Sequence, residues 1–350
     1  MIGYIVSKND YVKMDAFTVT EYTIENDGDY GGKSSVVISR KPTAVENDWF
    51  YMMDGNNVVL TGIIDSISNE DGRNEHTLNL KEGQTLFDQK ILLQKDELLQ
   101  TGIEDFIAEC IKDNFTESDD ELMNLTYVTI TVKTHTPVLA AVNHENGIFN
   151  LCTYIGNAMT NYGVFTEMHF TDYGIEIVIE KKEQSIINID CSLADIVNYE
   201  ETYEINALAK LVVRWCTSDE DKVGTVRKYF LRANRTVTDD INDTDRAAGR
   251  TETIYIQAEN EEKMYEEVLN QFKSNSYNHS VECSVKSTSK LFPIDSLFVG
   301  AEVTLKTRSH GIHKSIVNNI EMSNSSKFVK VKFGKLKITL IEKIRKGMSR

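Results

Sequence analysis

The sequence has little proline, scattered cysteine and no long apolar run, and each shortage excludes a class of protein. Only three of the 350 residues are proline, which excludes a proline-rich linker or a low-complexity tail. The five cysteines are odd in number and form no C-x-x-C pair, so we expect buried free thiols and neither a disulfide framework nor a zinc site. No run of about 18 apolar residues occurs, so we expect no membrane insertion by this chain. The N-terminal sequence does not resemble a signal peptide, which predicts assembly in the cytoplasm.

Negative charge is abundant, but it is unevenly distributed. The net charge of −16 argues against nucleic acid or an anionic membrane as the main partner. From Lys286 to Arg350 basic side chains outnumber acidic ones by 14 to 4, whereas before Lys286 acidic side chains outnumber basic ones by 50 to 24. Two interpretations remain open: the oppositely charged regions meet across subunits or neighbours of an assembly, or the basic end is a solvated face.

The first part of the chain, 1–90, has the pattern of β-strands. Alternating or β-branched segments occupy 18–26, 34–41, 58–68 and 74–80, and polar turn sequences separate several of them. No helical periodicity interrupts this region. The pattern predicts a small antiparallel barrel or curled sheet over 1–90.

A different pattern follows over 91–200. Apolar residues at helical spacing predict helices over 96–115 and 149–163, the second ending at Gly163. Residues 125–133 alternate as a strand, and 168–182 reads as a hairpin. We therefore expect an inserted α+β domain over 91–200.

Strands return after residue 200. The predicted fold is mixed α+β and mainly β, with two related small β-barrel-like domains. We assign 201–258 and 294–350 to the second barrel-like domain and 259–293 to a helix-strand insertion, because 259–274 is amphipathic. The polar loop 236–249 is expected to be exposed.

Two strand–turn–strand segments match when the sequence is aligned with itself so that residue 58 corresponds to residue 311. We call this alignment the repeat displacement. Segment 58–68 then lies over 311–321, and each segment follows a polar turn and precedes another alternating strand. The displacement pairs three apolar positions of each segment, Ile63, Ile64 and Ile67 with Ile316, Val317 and Ile320. If the match is real, a trimer would present six barrel-like domains in a ring, which fits a sixfold-symmetric tube.

A long part of the chain resembles a known family. The residues that carry the resemblance are RKYFLRANRTVTDD (227–240), GRTETIYIQAENEEKMYEEVLNQFKSNSYNHSVECSV (249–285) and FPIDSLFVGAEVTLK (292–306). They resemble the tail-tip hub proteins of siphophages and prophages, the tail-associated lysin family, which are similar to the baseplate hub of contractile-tailed phages. The order of elements agrees over essentially the whole chain, although the family has no invariant catalytic signature.

The resemblance implies a structural function. It implies a homotrimer at the tail tip of the virion that closes the tail tube, binds a ring of distal tail protein and gates DNA passage at infection. The tape measure protein and receptor-binding proteins or fibres are further expected partners, and DNA would pass without specific binding. Lysin-bearing relatives continue into a peptidoglycan-degrading domain, whereas this sequence stops at Arg350, so we expect no enzymatic activity.

The sequence predicts no chemical site: no catalytic, cofactor-binding or metal-binding residue is assigned, and no cofactor is expected. His310 and His313 are three positions apart beside a strand and point to opposite faces. The acidic loop 239–245 departs from a calcium-loop pattern, because Asp245 stands where glycine is required. Whether this loop takes a metal is left open.

Two alternative functions start from other residues. Cys152, Cys191 and His169 could form a hydrolase dyad only on paper, because no local motif supports one. Host-wall carbohydrate binding is the other alternative, and it would use aromatic residues of the inserted region that we first expect in the core, namely Tyr154, Tyr162, Phe165 and Tyr173. For the hub itself, an acidic or neutral channel wall is expected, with Asp and Glu from the first barrel-like domain and from 200–250.

Overall fold

The structure, a computed structural model, is mainly β, as the sequence predicts. It describes residues 1–69, 75–136, 140, 147–183, 186–203, 208–217, 224–233, 236–275, 279–309 and 311–334. The sequence also predicts a strand over 337–344 from its alternation, and this segment lies outside the described residues. None of the helices within them is both long and apolar enough to cross a membrane.

The first six strands pair in a closed cycle, and we call them the N-terminal module. They are β1 (Ile2–Val6), β2 (Lys13–Asp27), β3 (Lys33–Ile38), β4 (Trp49–Asp54), β5 (Asn57–Asn69) and β6 (His76–Lys81). Their spatial order is β1-β4-β5-β6-β3-β2, and β2 pairs again with β1. All six pairings are antiparallel, so apolar residues on alternate positions are enclosed within the cycle.

An α+β region follows the N-terminal module. It contains β7 (Lys90–Leu92), α1 (Ile103–Ile111), β8 (Val128–Val132), β9 (Ile148–Asn150), α2 (Leu151–Tyr162), β10 (Val164–Phe170) and β11 (Ile175–Lys181). The hairpin of β10 and β11 is antiparallel, as predicted, and β8 adds to β11 in parallel. Helix α2 ends at Gly163, whose φ of 69° gives the left-handed cap that glycine favours.

This region shares one hydrophobic core with the N-terminal module. Trp49 of β4 is fully buried, packs edge-on against Phe170 of β10, and donates its indole N–H to the Tyr127 hydroxyl at 2.8 Å. The Tyr11 hydroxyl donates to the Thr171 carbonyl at 3.0 Å. The module and the α+β region are therefore fixed to each other by buried aromatic contacts.

A separate four-stranded sheet with a helix follows further along the chain. Two strands come before it, β12 (Ile187–Asp190) and β13 (Ile196–Tyr203). The sheet contains β14 (Leu208–Cys216), β15 (Thr225–Leu231), β16 (Val237–Thr238) and β17 (Arg250–Gln257), and α3 (Glu261–Asn275) covers it. Met264, Val268 and Phe272 of α3 are buried against this sheet, which explains the predicted amphipathic pattern.

The last strands complete a second group of six, which we call the C-terminal module. The new strands are β18 (His279–Lys286), β19 (Glu302–Lys306), β20 (Ile312–Ser323) and β21 (Phe328–Gly334), and they join β12 and β13. The spatial order is β12-β19-β20-β21-β18-β13. When each module's strands are numbered along the chain, both have the order first, fourth, fifth, sixth, third, second.

The modules differ at the first strand. In the N-terminal module β1 is antiparallel to β4 and also pairs with β2, whereas β12 runs parallel to β19. Among the described residues no strand pairing links β12 with β13, so the second cycle stays open there. Arg308 lies at this gap, and its side chain donates to the carbonyls of Cys191 and Ile196 at 3.0 and 3.1 Å.

The strand pairing groups the chain differently from the sequence-based division after residue 200. The sequence-based division places 201–258 in the second barrel-like domain, but the strands within 208–257 form the separate sheet. The segment 259–293 was assigned to an insertion, but its strand β18 lies inside the C-terminal module between β13 and β21. Alternation shows that a segment is a half-buried strand and does not show which strand it pairs with, so the sequence pattern could not make this distinction.

The repeat displacement matches the two modules residue by residue. It lays the pair Ile64–Leu80 over the pair Val317–Phe333, and both are paired residues of neighbouring strands. A bulge follows at the same place in both modules, after Ile64 and after Val317. The preceding strands agree too, because Phe50 pairs with Gly62 and Val303 pairs with Ser315. The matching bulges and registers support the internal similarity that the sequence indicated.

One turn of the repeat gives a test of how the two modules differ in packing. Asn47 and Gly300 correspond under the repeat displacement, both have positive φ, 74° and 92°, and their amides bond to the Ile64 and Val317 carbonyls. A Cβ on Gly300 would meet Phe165 at 2.9 Å, whereas Asn47 is exposed. We expect Gly300→Ala to lower the free energy of unfolding by about 3 kcal/mol and Asn47→Ala by about 1 kcal/mol. Urea titration followed by circular dichroism measures both losses. Equal losses would contradict the tighter packing around Gly300.

A candidate assembly site where the two modules join

The two modules are joined edge to edge by one antiparallel strand pair. The end of β2, from Thr23 to Asp27, pairs with β20 from Ser323 back to Asn319. The Gly28 amide continues the joint by donating to the Asn318 carbonyl at 2.8 Å. A single sheet therefore runs from one module into the other and unites strands from opposite ends of the chain.

Asn319 of β20 bridges two carboxylates of β2. Its side-chain NH₂ donates to Glu25 Oε1 at 3.0 Å and to Asp27 Oδ2 at 3.1 Å. Asn319 is only 3% exposed, so both bonds are charge-assisted and shielded from water. Each of its two hydrogens has one anionic acceptor, which fixes the register of the joint.

A third carboxyl group, that of Glu82, lies behind this joint. Its Oε1 accepts the amides of Asp27 and Gly32 at 2.9 and 3.2 Å. Burial, together with the neighbouring carboxylates of Asp27 and Glu25, raises the pKa of Glu82 to about 8. Glu82 is therefore largely protonated at neutral pH, which limits the negative charge gathered at the joint.

The basic end of the chain forms ion pairs within its own module. Lys306 lies 2.8 Å from Asp190, and Lys286 lies 3.4 Å from Asp195. The Lys306 ammonium is the main cause that holds the pKa of Asp190 below its usual range. Part of the charge asymmetry seen in the sequence is thus compensated inside one chain.

The residues considered for metal binding lie apart from this joint. His313 is on β20 and packs against His279 with ring centroids 5.2 Å apart, whereas His310 lies outside the described residues. In the acidic loop, Asp243 pairs with Arg232 at 2.6 Å and accepts the Asp245 amide at 2.8 Å. No group of three or more potential ligands converges within the part of the chain that the structure describes.

The residues considered for hydrolysis are not brought together. Cys152 lies in the core shared by the N-terminal module and the α+β region, and Cys191 lies in the core of the C-terminal module. Burial raises the pKa of the Cys152 thiol to about 12 and that of Cys191 to about 11. Such thiols stay protonated and are poor nucleophiles. His169 is on β10, next to Glu167.

The aromatic residues of the α+β region are mostly used for packing. Tyr154 packs against Phe106, and Phe165 packs against Phe298 at 5.7 Å between ring centroids. Burial and the carboxyl group of Glu267 on α3, to which the hydroxyl donates, raise the pKa of Tyr162. Of the four aromatic residues considered, Tyr173 alone is strongly exposed, and one ring does not form a sugar-binding platform.

Sequence reasoning did not single out the residues of the joint. Asn319 lies within the matched segment 311–321, but its counterpart is the exposed Ser66. A buried asparagine where the repeat has a small exposed residue is a signal of a local partner. Glu82 follows the last strand of the N-terminal module and carries no comparable signal.

The chain has the fold of phage tail proteins, although no family model and no curated protein sequence matches it. A tail protein of Neisseria meningitidis MC58 superposes with a TM-score of 0.57 at 12% identity, over 97% of this chain and 98% of the other. A prophage tail protein of Listeria monocytogenes EGD-e gives 0.57 at 9% identity, over 99% and 98%. The 43 kDa tail protein of prophage MuSo2 from Shewanella oneidensis gives 0.50 at 11% identity, over 95% and 98%.

These matches confirm, at the level of fold, the resemblance that the sequence indicated. They extend over nearly the whole chain and nearly the whole of each tail protein. The shared fold therefore includes both modules and the regions between them. At these identities the agreement concerns architecture.

The raised pKa of Glu82 predicts a pH-dependent stability. Between about pH 4.5 and pH 8 the folded protein binds a proton that the unfolded chain has released, so stability falls as pH rises through this window. Glu82→Gln retains a neutral acceptor for both amides. We expect it to be more stable than the unchanged protein by about 1–3 kcal/mol at pH 9 and similar to it at pH 5. Urea titrations at both pH values measure this, and a variant that is less stable at pH 9 would contradict it.

The bridging role of Asn319 gives a second test. Asn319→Asp replaces a double donor with a carboxylate facing Glu25 and Asp27. We expect the free energy of unfolding to fall by about 3 kcal/mol at pH 7. Asn188→Asp makes the same charge change at an exposed position of β12 and serves as the control. Equal effects of the two substitutions would contradict the bridging role of Asn319.

Proposed function

We propose that this chain is the structural hub of a phage tail tip. In this function three copies close the distal end of the tail tube, attach to the ring of distal tail protein, and control DNA passage at infection. The fold shared with phage tail proteins over nearly the entire chain supports a structural role in a virion tail. The tip position and the threefold assembly are the parts that go beyond the shared fold.

The observation that carries the proposal is the repeat within one chain. Both modules have the same strand order, and their central strands share register and bulge under one displacement. Each module acts as a tube domain, so three chains supply six similar domains. Closed rings require matching surfaces at every junction, and six similar domains allow a trimer to fit a sixfold tube.

The proposed partners follow from the same arrangement. The ring of six modules faces the distal tail protein, and the tape measure protein and receptor-binding proteins or fibres contact the remaining surfaces. The net charge of −16 suits a channel through which DNA slides, because an acidic or neutral wall does not hold phosphates. DNA therefore passes without specific binding.

A non-enzymatic role agrees with the sites described above. The two candidate thiols lie in separate cores with raised pKa values. Most of the candidate sugar-binding aromatics are packed inside the protein. Peptidoglycan hydrolysis and host-wall carbohydrate binding are therefore less well supported than a structural role.

Antibody labelling of intact tails tests the proposed location. We expect electron micrographs of the phage that encodes this chain to show antibody raised against it at the distal tail tip. Gold-labelled pre-immune antibody is the control. Label along the tail shaft or on the capsid would contradict the proposal.

Zymography of the purified chain on host peptidoglycan should show no clearing, and a cleared band would support the hydrolase alternative.

A further inference from the structure

The outer half of β5 has an open edge at the place where its counterpart is covered. In the C-terminal module, the end of β20 is covered by β2 from the N-terminal module. The repeat displacement places Asn319–Ser323 over 66–70, of which 66–69 are described. Ile320 is 6% exposed, whereas its counterpart Ile67 is 39% exposed. Beyond Ile63 the only strand paired with β5 among the described residues is β6.

The C-terminal module has the complementary open edge on β13. β2 pairs with β3 in the N-terminal module as β13 pairs with β18 in the C-terminal module, so β2 and β13 are counterparts. Matching the two strand pairs places Val19 over Ile196 and Thr23 over Glu200, with the same difference in residue number. In the described part of the chain β18 is the one strand that pairs with β13. The stretch of β2 that covers β20 therefore corresponds to the stretch of β13 that begins at Glu200.

One joint is thus made within the chain, and among the described residues the two halves of a second, similar joint have no strand partner across it. We propose that β13 of one copy adds to the outer half of β5 of the next copy, as β2 adds to β20 within the chain. The inference rests on the proposed homotrimer, because a head-to-tail contact closes into a ring only at a fixed number of copies. A second copy is the occupant because it carries the strand that the internal repeat requires.

The register of the new joint follows from the existing one. Ile24 pairs with Met322, Glu25 with Glu321 and Asn26 with Ile320. Transferred to the open edges, these pairs place residues 201, 202 and 203 of one copy opposite 69, 68 and 67 of the next. The pairing is antiparallel, so main-chain hydrogen bonds supply much of its affinity.

The open edge of β5 lacks the usual protection against pairing. Residues 65–69 read Asp-Ser-Ile-Ser-Asn, without lysine, proline or glycine. The single charged side chain, Asp65, already pairs with Lys81. Exposed edge strands are normally blocked by charge, proline or a covering loop, so an unblocked edge that leaves Ile67 exposed is suited to a strand partner.

A pair of introduced cysteines tests the register. Ser68→Cys combined with Thr202→Cys places two thiols directly opposite each other across the proposed joint, at the Cα separation of an antiparallel pair, about 4.5–5.5 Å, which a disulfide can bridge. The five native cysteines are buried. On oxidation we expect covalent species of two and three chains. A mixture of the two single variants should give two-chain species only, and Thr61→Cys with Thr202→Cys is the mismatched control.

Light scattering on the reduced protein separates the two proposals. A three-chain mass with the expected disulfide supports the joint. A three-chain mass without that disulfide, or with equal linking in the mismatched control, overturns the joint and leaves the homotrimer standing. A single-chain mass at every concentration, with no disulfide formed, overturns the joint and the self-assembling trimer together.

A matched pair of surface substitutions gives a second readout. Ile67→Asp places a charge in the proposed joint, and Val58→Asp places the same charge on the inner half of β5 at the same exposure, 39%. We expect Ile67→Asp to raise the protein concentration needed for half-assembly at least about tenfold, with Val58→Asp unchanged. Unchanged circular dichroism confirms that both variants fold. Equal assembly of the two variants would overturn the joint.

Discussion

The pairing of β2 with β20 is the constraint on which the rest of the structure depends. It joins two modules whose strands come from opposite ends of the chain. The segments 83–183 and 208–275 are therefore insertions between strands of one sheet. A contact with this sequence separation has a large entropic cost of closure. The bonds of Asn319 to Glu25 and Asp27 contribute to offsetting that cost, because they lie out of water and satisfy both hydrogens of the amide.

The regions between the modules reinforce the joint. The α+β region packs on the N-terminal module through Trp49 and Phe170, and α2 reaches α3 through Tyr162 and Glu267. The four-stranded sheet is thereby anchored to the α+β region rather than left as a separate body. Burial raises the pKa of both Tyr162 and Glu267, and the Tyr162 hydroxyl donates a hydrogen bond to the Glu267 carboxyl group. The chain is therefore held at its joint and across its insertions.

Sequence patterns predicted the local elements and the repeat better than the grouping of strands. The hairpin of β10 and β11, the end of α2 at Gly163, and the match of Ile64 with Val317 follow from short-range periodicity and turn chemistry. The membership of β14 and β18 could not be predicted, because both alternate and only long-range pairing separates them. The cluster of carboxyl groups around Asn319 could not be predicted either, because among 54 acidic residues the sequence does not indicate which ones lie together in the fold.

The first strands of the two modules show that the same strand order can be completed in two different ways. In the N-terminal module β1 pairs with both β2 and β4 and closes the cycle. In the C-terminal module β12 runs the other way along β19, and the Arg308 side chain bonds to carbonyls at the gap where a strand pair would stand. A side chain can satisfy those carbonyls without extending the sheet. The C-terminal module is thus completed at this gap by a side chain, while the later residues of β13, which correspond to the part of β2 that pairs with β20, have β18 as their strand partner among the described residues.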